Sequence, residues 1–259
     1  MNLFNNTSFS LSQRTALVTG AGRGLGKEIA RLFAKAGADL MLCSRTETQL
    51  RDTAREIADE TGARIEFITA DLSKRDDAER LAKTAVERLG KVDILISNAG
   101  YNIPQTIELK ADEDWDYLLE LNVSSSMVLT RALAPGMMER SWGRIVYTSS
   151  ILAMGSVTDR VTYSTTKAAL LGLVKANSLY LGPHGITVNC IAPGPFATEM
   201  PMTLLTDEQK QSLGGRTALK RWGQPAELAP AALLLSSDAG AYITGTVLVI
   251  DGGATARVF

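Results

Sequence analysis

Three side chains in the stretch SILAMGSVTDRVTYSTTK, from Ser150 to Lys167, are of types that can work together on one proton. Tyr163 and Lys167 are four residues apart, which on a helix puts both on one face, one turn apart. A tyrosine hydroxyl has a reference pKa of about 10, too high for an efficient general base near neutrality. A cation ~4 Å away at an effective dielectric of ~20 contributes on the order of 4 kcal/mol. That is roughly three pKa units, enough to bring the phenol near 7. Ser150 is suited to hydrogen-bond a substrate oxygen while its charge changes.

Tyr-x-x-x-Lys is a common spacing, and alone it is accidental far more often than catalytic. What gives it weight is the set of elements around it. Ser150 sits at the end of the apolar run RIVYTS, which reads as a buried strand. The segment after Tyr163, AALLGLVKANSLYLG, has few breakers and reads as a long helix. A strand end, a short loop and a helix start bring the three groups to one place.

The rest of the inventory narrows the chemistry. The chain has 259 residues, 45% hydrophobic, with a net charge of −1, which suits one sizeable core and gives no basic surface for nucleic acid. No apolar run approaches the ~20 residues of a membrane span. The first ten residues lack the basic and apolar blocks of a signal peptide. Cys43 and Cys190 stand alone in apolar runs and read as buried thiols of a reducing, cytoplasmic compartment. His184 is the one histidine, in the turn-like string GPHG, and there is no G-x-S-x-G elbow, which argues against a Ser-His-Asp hydrolase. Cys and His are too few for a zinc alcohol dehydrogenase, and no metal is expected.

Apolar strand patterns at 14–19, 38–43, 63–70, 92–97, 144–149, 186–192 and 246–253 alternate with helical ones. These include helices over 27–38, 46–61, 112–138 and 225–237, and one in 73–90 with Ser73 as its N-cap. The pattern predicts an α/β fold: a single doubly wound parallel sheet of about seven strands with helices on both faces, one domain over 1–259. Ligands of such sheets sit beyond the carboxyl ends of the strands. The glycine loop, Asp71, Asn98, Ser150 and Pro193-Gly194 all fall at such ends.

The loop GAGRGLG (20–26) lies between a strand and a helix and fits T-G-x-x-x-G-x-G through Thr19, Gly20, Gly24 and Gly26. Glycines there let the backbone turn tightly and approach a pyrophosphate, although a glycine turn can also be merely structural. At the second strand end, where NAD enzymes usually carry an acid, stand Ser44 and Arg45, and Arg23 lies in the loop. Two guanidiniums suit a 2′-phosphate, so NADP(H) is expected over NAD(H). The alternative is that both are solvated surface cations.

Together these residues resemble the short-chain dehydrogenase/reductase family over essentially the whole chain. The resemblance is carried by Thr19-Gly20…Gly24-x-Gly26, Asp71-Leu72, Asn98-Ala99-Gly100, Asn122, Ser150, Tyr163-x-x-x-Lys167, Pro193-Gly194 and the run RWGQPAELAPAALLLSSDAGAYITG…DGG. It implies a hydride-transferring oxidoreductase with the catalytic set Asn122, Ser150, Tyr163 and Lys167. Tyr163 would be the acid/base, Ser150 would orient the carbonyl or alcohol oxygen, Lys167 would hold the nicotinamide ribose, and Asn122 would help carry a proton-resupplying water chain. Gly20, Arg23, Gly24, Leu25, Gly26, Ser44 and Arg45 would hold the cofactor's phosphates and ribose. Asp71 and Leu72 would contact adenine, and Asn98, Ala99 and Gly100 would pack along the adenosine ribose. Pro193, Gly194, Phe196 and Thr198 would face the nicotinamide. Ser97 stands where many relatives have a second asparagine, with no consequence expected. The family also implies a homotetramer built on the helices near 112–138 and 162–181 and the last strand.

The substrate, a small carbonyl or alcohol, would meet Ser150, Leu152, Tyr163, Pro195 and Met200. A lid is expected over about 195–220, with Met200, Met202, Leu204 and Leu205 making its first half apolar and Gly214-Gly215 offering a hinge. Those apolar residues serve equally well to dock the lid. Two branches stay open: 3-oxoacyl-acyl-carrier-protein reductases and sugar or polyol dehydrogenases near gluconate 5-dehydrogenase. His184 and Ser141-Trp142 stand where carrier-protein reductases often have basic residues, although Arg140 is close. A cofactor-binding scaffold or sensor is a third possibility, disfavoured because all four catalytic residues are present.

Overall fold

The computed structural model describes residues 7–256. Seven parallel strands form one sheet in the order β3-β2-β1-β4-β5-β6-β7. They are β1 Thr15–Thr19, β2 Asp39–Ser44, β3 Ile65–Thr69, β4 Ile94–Ser97, β5 Gly143–Thr148, β6 Ile186–Pro193 and β7 Val247–Ile250. Each central strand is apolar on both faces, as a sheet covered by helices on both sides requires. Alternate residues feed two cores. Leu17, Met41, Leu95, Ile145 and Val188 point to one face. Ala16, Val18, Leu40, Ile94, Ile96 and Val146 point to the other.

On the second face lie α1 Gly24–Lys35, α2 Glu47–Thr61 and α9 Pro225–Ser236. The first face is covered by α3 Arg75–Leu89, α5 Ser125–Glu139 and α6 Val161–Leu181. The chain reverses its winding direction between β1 and β4, so a crevice opens beyond their carboxyl ends.

Three local expectations need correction. Ser73 is not the cap of α3: Lys74 holds that position, and the Ser73 hydroxyl donates to Asp71 Oδ1 at 2.8 Å. The helix read over 112–138 is three pieces, α4 Asp112–Leu119, a π-helical turn Glu120–Ser124 and then α5. The π turn contains no glycine or proline to mark it, and it interrupts an otherwise continuous helical run. The region 195–224 holds two helices, α7 Glu199–Leu204 and α8 Asp207–Arg216. Gly214 and Gly215 lie inside α8 and not at a hinge; a Cβ on Gly214 would sit 3.0 Å from the Trp222 ring, so this position is a packing contact.

Candidate active site

β1 ends at Thr19, whose hydroxyl accepts from the backbone N–H of Asn98 at 2.9 Å and of Ala99 at 3.0 Å. The Asn98 amide donates back to the Thr19 carbonyl at 3.0 Å. The ends of β1 and β4 are thereby stitched on either side of the crevice. Gly20 and Gly24 both have positive φ, 66° and 58°. Gly26 is required for closeness: a Cβ there would lie 2.4 Å from the Gly20 carbonyl oxygen. The start of α1 is therefore pressed onto its own loop, and Thr53 of α2 pins that loop by donating to the Gly22 carbonyl at 3.0 Å.

The result is an open cleft of about 210 Å³. Eight nominated residues line it: Gly20, Arg23, Ser44, Arg45, Leu72, Asn98, Ala99 and Gly100. It also takes in Gly22, Thr46, Gln49, Tyr101 and Leu121, which the sequence reading left out. Gly22 and Tyr101 adjoin nominated residues, and Thr46 and Gln49 begin the helix after Arg45, so proximity in sequence was an available signal. Leu121 adjoins Asn122, and the π turn brings it to the cleft. Gly24, Leu25 and Gly26 build the loop behind this lining. Asp71 is turned to its own loop, its Oδ1 accepting from the Ser73 N–H at 3.2 Å and from the Ser73 hydroxyl.

The chemical groups stand at the end of β5. Ser150 precedes a short 3-10 turn, Ile151–Ala153, and its hydroxyl accepts from the Leu152 N–H at 3.1 Å. The Tyr163 phenol is its neighbour, and the Ser150 hydroxyl favours the ionised phenol. Tyr163 and Lys167 both lie on α6, and the Lys167 ammonium is 5.6 Å from the centre of the Tyr163 ring. Two contacts fasten the end of β5 to α6: Lys167 Nζ donates to the Thr148 carbonyl at 2.7 Å, and Ser149 Oγ donates to the Lys167 carbonyl at 2.8 Å.

The electrostatics differ from the expectation of a phenol lowered directly by the lysine. Burial pushes the Tyr163 phenol above its ordinary value, opposed by the Ser150 hydroxyl and the charge of Arg160. Burial also brings the Lys167 ammonium down to about 8. With its Nζ held by the Thr148 carbonyl, the ammonium stands over the Tyr163 ring at 5.6 Å from its centre. Desolvation thus drives the proton affinities of the two groups apart, the phenol upward and the ammonium downward.

Asn122 occupies the π turn. Its Oδ1 accepts from the Tyr101 N–H at 2.9 Å, and its Nδ2 donates to the Tyr101 carbonyl and to Thr166 Oγ1, both at 3.0 Å. The side chain thus pairs with Tyr101 much as a neighbouring strand would. Gly100 marks where cleft and catalytic groups meet. A Cβ on it would lie 3.1 Å from both Asn122 Oδ1 and Lys167 Nζ, and Gly100 itself lines the cleft. Ser97 hydrogen-bonds Ser126 at 2.8 Å and is buried, so its hydroxyl is used in the core.

The segment after β6 closes the other side. Pro193 ends the strand, and Gly194 packs so closely on Asp251 that a Cβ would fall 2.5 Å from the Asp251 Cβ. The Phe196 ring is buried against Gly223. Thr198 reaches the glycine loop, its methyl 3.3 Å from where a Gly24 Cβ would be. Pro195 and Phe196 line a second, smaller hollow of about 110 Å³. Leu152 is half-buried in the turn after Ser150. The side chain of Met200 lies outside the described residues.

His184 sits half-buried in the turn Gly182–His184. Cys43 and Cys190 are buried free thiols, both pushed up to about 12 by burial. Among the described residues no three His, Cys, Asp or Glu side chains cluster as metal ligands would. No helix there is long and apolar enough to cross a membrane.

A parallel sheet with its crevice at β1/β4, a glycine loop and a Ser-Tyr-Lys group at the neighbouring strand end define a nucleotide-binding oxidoreductase class. Comparison with known proteins agrees. The family model described as enoyl-(acyl carrier protein) reductase matches residues 20–255. The chain is 34% identical to the 3-oxoacyl-acyl-carrier-protein reductase of Chlamydia muridarum, over 94% of this chain and 98% of that one. It is 38% identical to gluconate 5-dehydrogenase of Gluconobacter oxydans, over 95% and 96%. Among solved structures, a 7α-hydroxysteroid dehydrogenase complexed with NADH and 7-oxo glycochenodeoxycholic acid superposes with a TM-score of 0.90 at 35% identity, over 97% and 98% of the two chains. A 3-oxoacyl-acyl-carrier-protein reductase of Agrobacterium tumefaciens C58 with NADP bound gives 0.91 at 29% identity, over 98% of each. The chain belongs to the short-chain dehydrogenase/reductase family. It is an oxidoreductase of the kind that acts on CH–OH and carbonyl groups.

Proposed function

We propose that this chain reduces a ketone with NADP(H), or oxidises the matching secondary alcohol, and that its substrate resembles a 3-oxoacyl thioester. The observation that carries this reading is the shared edge at Gly100, which lines the nucleotide cleft and touches the space of both Asn122 and Lys167. The glycine cradle fits a dinucleotide, because backbone at Gly20 and Gly26 comes closer than any side chain would permit. A nicotinamide bound there supplies the hydride donor or acceptor.

Each residue of the chain then has a task. Gly20, Gly24, Leu25 and Gly26 cradle the pyrophosphate. Arg23, Ser44 and Arg45 take the adenosine 2′ position, and Leu72, Asn98, Ala99 and Gly100 line the adenosine half, with Asp71 shaping the loop beside them. Pro193, Gly194, Phe196 and Thr198 border the nicotinamide half, Phe196 through its main chain. Ser150, beside Tyr163, orients the substrate oxygen. Tyr163 gives that oxygen a proton in reduction and takes it back in oxidation. Lys167 holds the ribose and feeds the proton path, while Asn122 fixes the wall at Tyr101 beside it. Leu152, Pro195 and Met200 border the substrate, under a lid over about 195–220.

The NADP preference rests on Arg45, whose Nη1 donates to the neutral Tyr117 hydroxyl at 2.9 Å and so keeps its full charge for an anion. Relatives of both cofactor types exist, with NADH in one structure and NADP in another. Arg45→Asp should therefore erase or reverse the NADPH:NADH ratio of kcat/KM; an unchanged ratio would remove this part of the reading.

A second substrate reading, a sugar or polyol, is favoured by the 38% identity to gluconate 5-dehydrogenase, which is above that to the carrier-protein reductase. A scaffold without activity is disfavoured by the intact Asn122, Ser150, Tyr163 and Lys167. The deciding test is turnover of NADPH with 3-oxoacyl thioesters, keto-sugars and simple diketones. Turnover of keto-sugars alone would favour the second reading, and none with any ketone would favour the scaffold. Residues 1–259 serve as one domain in this reading. The exposed Leu179, Tyr180 and Tyr242 suit burial in a homotetramer, which sedimentation tests: a monomer at micromolar concentration would contradict it. The two buried thiols suit a cytoplasmic setting.

A further inference from the structure

Arg23 and Arg45 both line the cleft, yet their charges are employed differently. Arg45 meets a neutral hydroxyl. Arg23 meets a carboxylate: its Nη1 lies 2.6 Å from Glu199 Oε2. Glu199 is the first residue of α7, 176 residues further along the chain. The contact has an apolar twin beside it, because Gly24 packs on the methyl of Thr198. Glycine loop and lid therefore touch at two adjacent residue pairs, one ionic and one apolar. The side chains of Arg23 and Glu199 are 53% and 56% exposed, which makes the ion pair weak and open to exchange.

We propose that Glu199 is a specificity-determining residue that competes with the 2′-phosphate of the cofactor for Arg23. This rests on the reading of Arg23 as a phosphate ligand. A phosphate engaging the guanidinium end-on, through Nη1 and Nη2, takes the Nη1 donor that the carboxylate now uses, and two anions on one guanidinium repel each other. NADP binding then includes the loss of the Arg23–Glu199 pair, whereas a nucleotide without the 2′-phosphate leaves the pair in place. Arg45 carries the basal preference, and Glu199 sets how much Arg23 adds to it.

The test uses the full chain and two probes that differ by one phosphate, 2′,5′-ADP and 5′-ADP, titrated by calorimetry. Glu199→Gln keeps the size and removes the charge. It should tighten 2′,5′-ADP about two- to fivefold, the range an exposed ion pair spans, and leave 5′-ADP unchanged. Glu199→Asp should return the ratio toward that of the parent. In an Arg23→Gln background the gain from Glu199→Gln should vanish. The proposal is overturned if Glu199→Gln leaves the ratio unchanged, or if the gain persists without Arg23. If Arg23→Gln alone does not weaken 2′,5′-ADP, the phosphate reading of Arg23 fails as well. If it does weaken it while Glu199→Gln changes nothing, that reading stands and the competition alone falls.

Discussion

The Lys167 ammonium is tied to the Thr148 carbonyl at 2.7 Å, although it lies only 5.6 Å from the centre of the Tyr163 ring. One strand-end carbonyl thus decides where the buried charge of the helix is held. Burial lowers its pKa from 10.5 to about 8, so the folded protein is penalised while the lysine is charged in both states. The folded chain binds fewer protons than the unfolded one between those values, and stability from this group rises with pH across that window. Lys167→Met removes the penalty. Its gain in stability, on the order of 3 kcal/mol at most, should be full below pH 8 and fade toward pH 10.5. Denaturant midpoints of parent and variant at pH 7 and pH 10 measure this; a difference independent of pH would contradict it.

Asn122 carries a different kind of load. Replacing it by Ala leaves the Tyr101 N–H and carbonyl without their side-chain partner at a partly buried position. A loss of about 1–3 kcal/mol of stability is expected, as for buried polar groups left unsatisfied. Because Tyr101 lines the cleft, NADPH should also bind more weakly. Urea unfolding and a fluorescence titration on the same variant report both; a variant of normal stability would show that the pairing contributes little.

The glycine loop offers a steric test. Gly26→Ala puts a methyl 2.4 Å from the Gly20 carbonyl oxygen, so the loop must open or α1 must shift. Loss of nucleotide binding is expected, with a clear fall in Tm. Gly155→Ala is the control, since a Cβ there meets nothing within 4 Å. Equal nucleotide Kd values for the two variants would mean that the close approach at Gly26 is dispensable.

Much of this was legible in the chain itself. The strands announce themselves because TALVT, LMLC, ILIS and RIVYT are apolar on both faces, and glycine-punctuated loops follow the strand ends. The Tyr163–Lys167 spacing needs only a helix to become a site. What escaped depends on contacts distant in sequence or on departures from regular geometry. The π turn at Asn122 carries no glycine or proline that would mark a break in the helix. The grip of Thr148 on Lys167 and the pairing of Arg23 with Glu199 join residues 19 and 176 positions apart. Lowering of the Tyr163 pKa was expected from Lys167, but the opposing influences on the buried phenol are Ser150 and Arg160. Helices α7 and α8 were hidden by glycine and proline punctuation, and Gly214 proved to be a seat for Trp222.

The central assignment is that Tyr163 moves the proton. Tyr163→Phe keeps the ring and deletes only the hydroxyl. The direct measurement is kcat of this variant on a confirmed ketone, together with its Kd for NADPH. A loss of at least ~100-fold in kcat is expected, in line with general-acid contributions of roughly 10²–10⁴, with NADPH affinity kept. Near-normal turnover with intact NADPH binding would contradict the assignment and leave the cleft as a nucleotide site without this catalytic group.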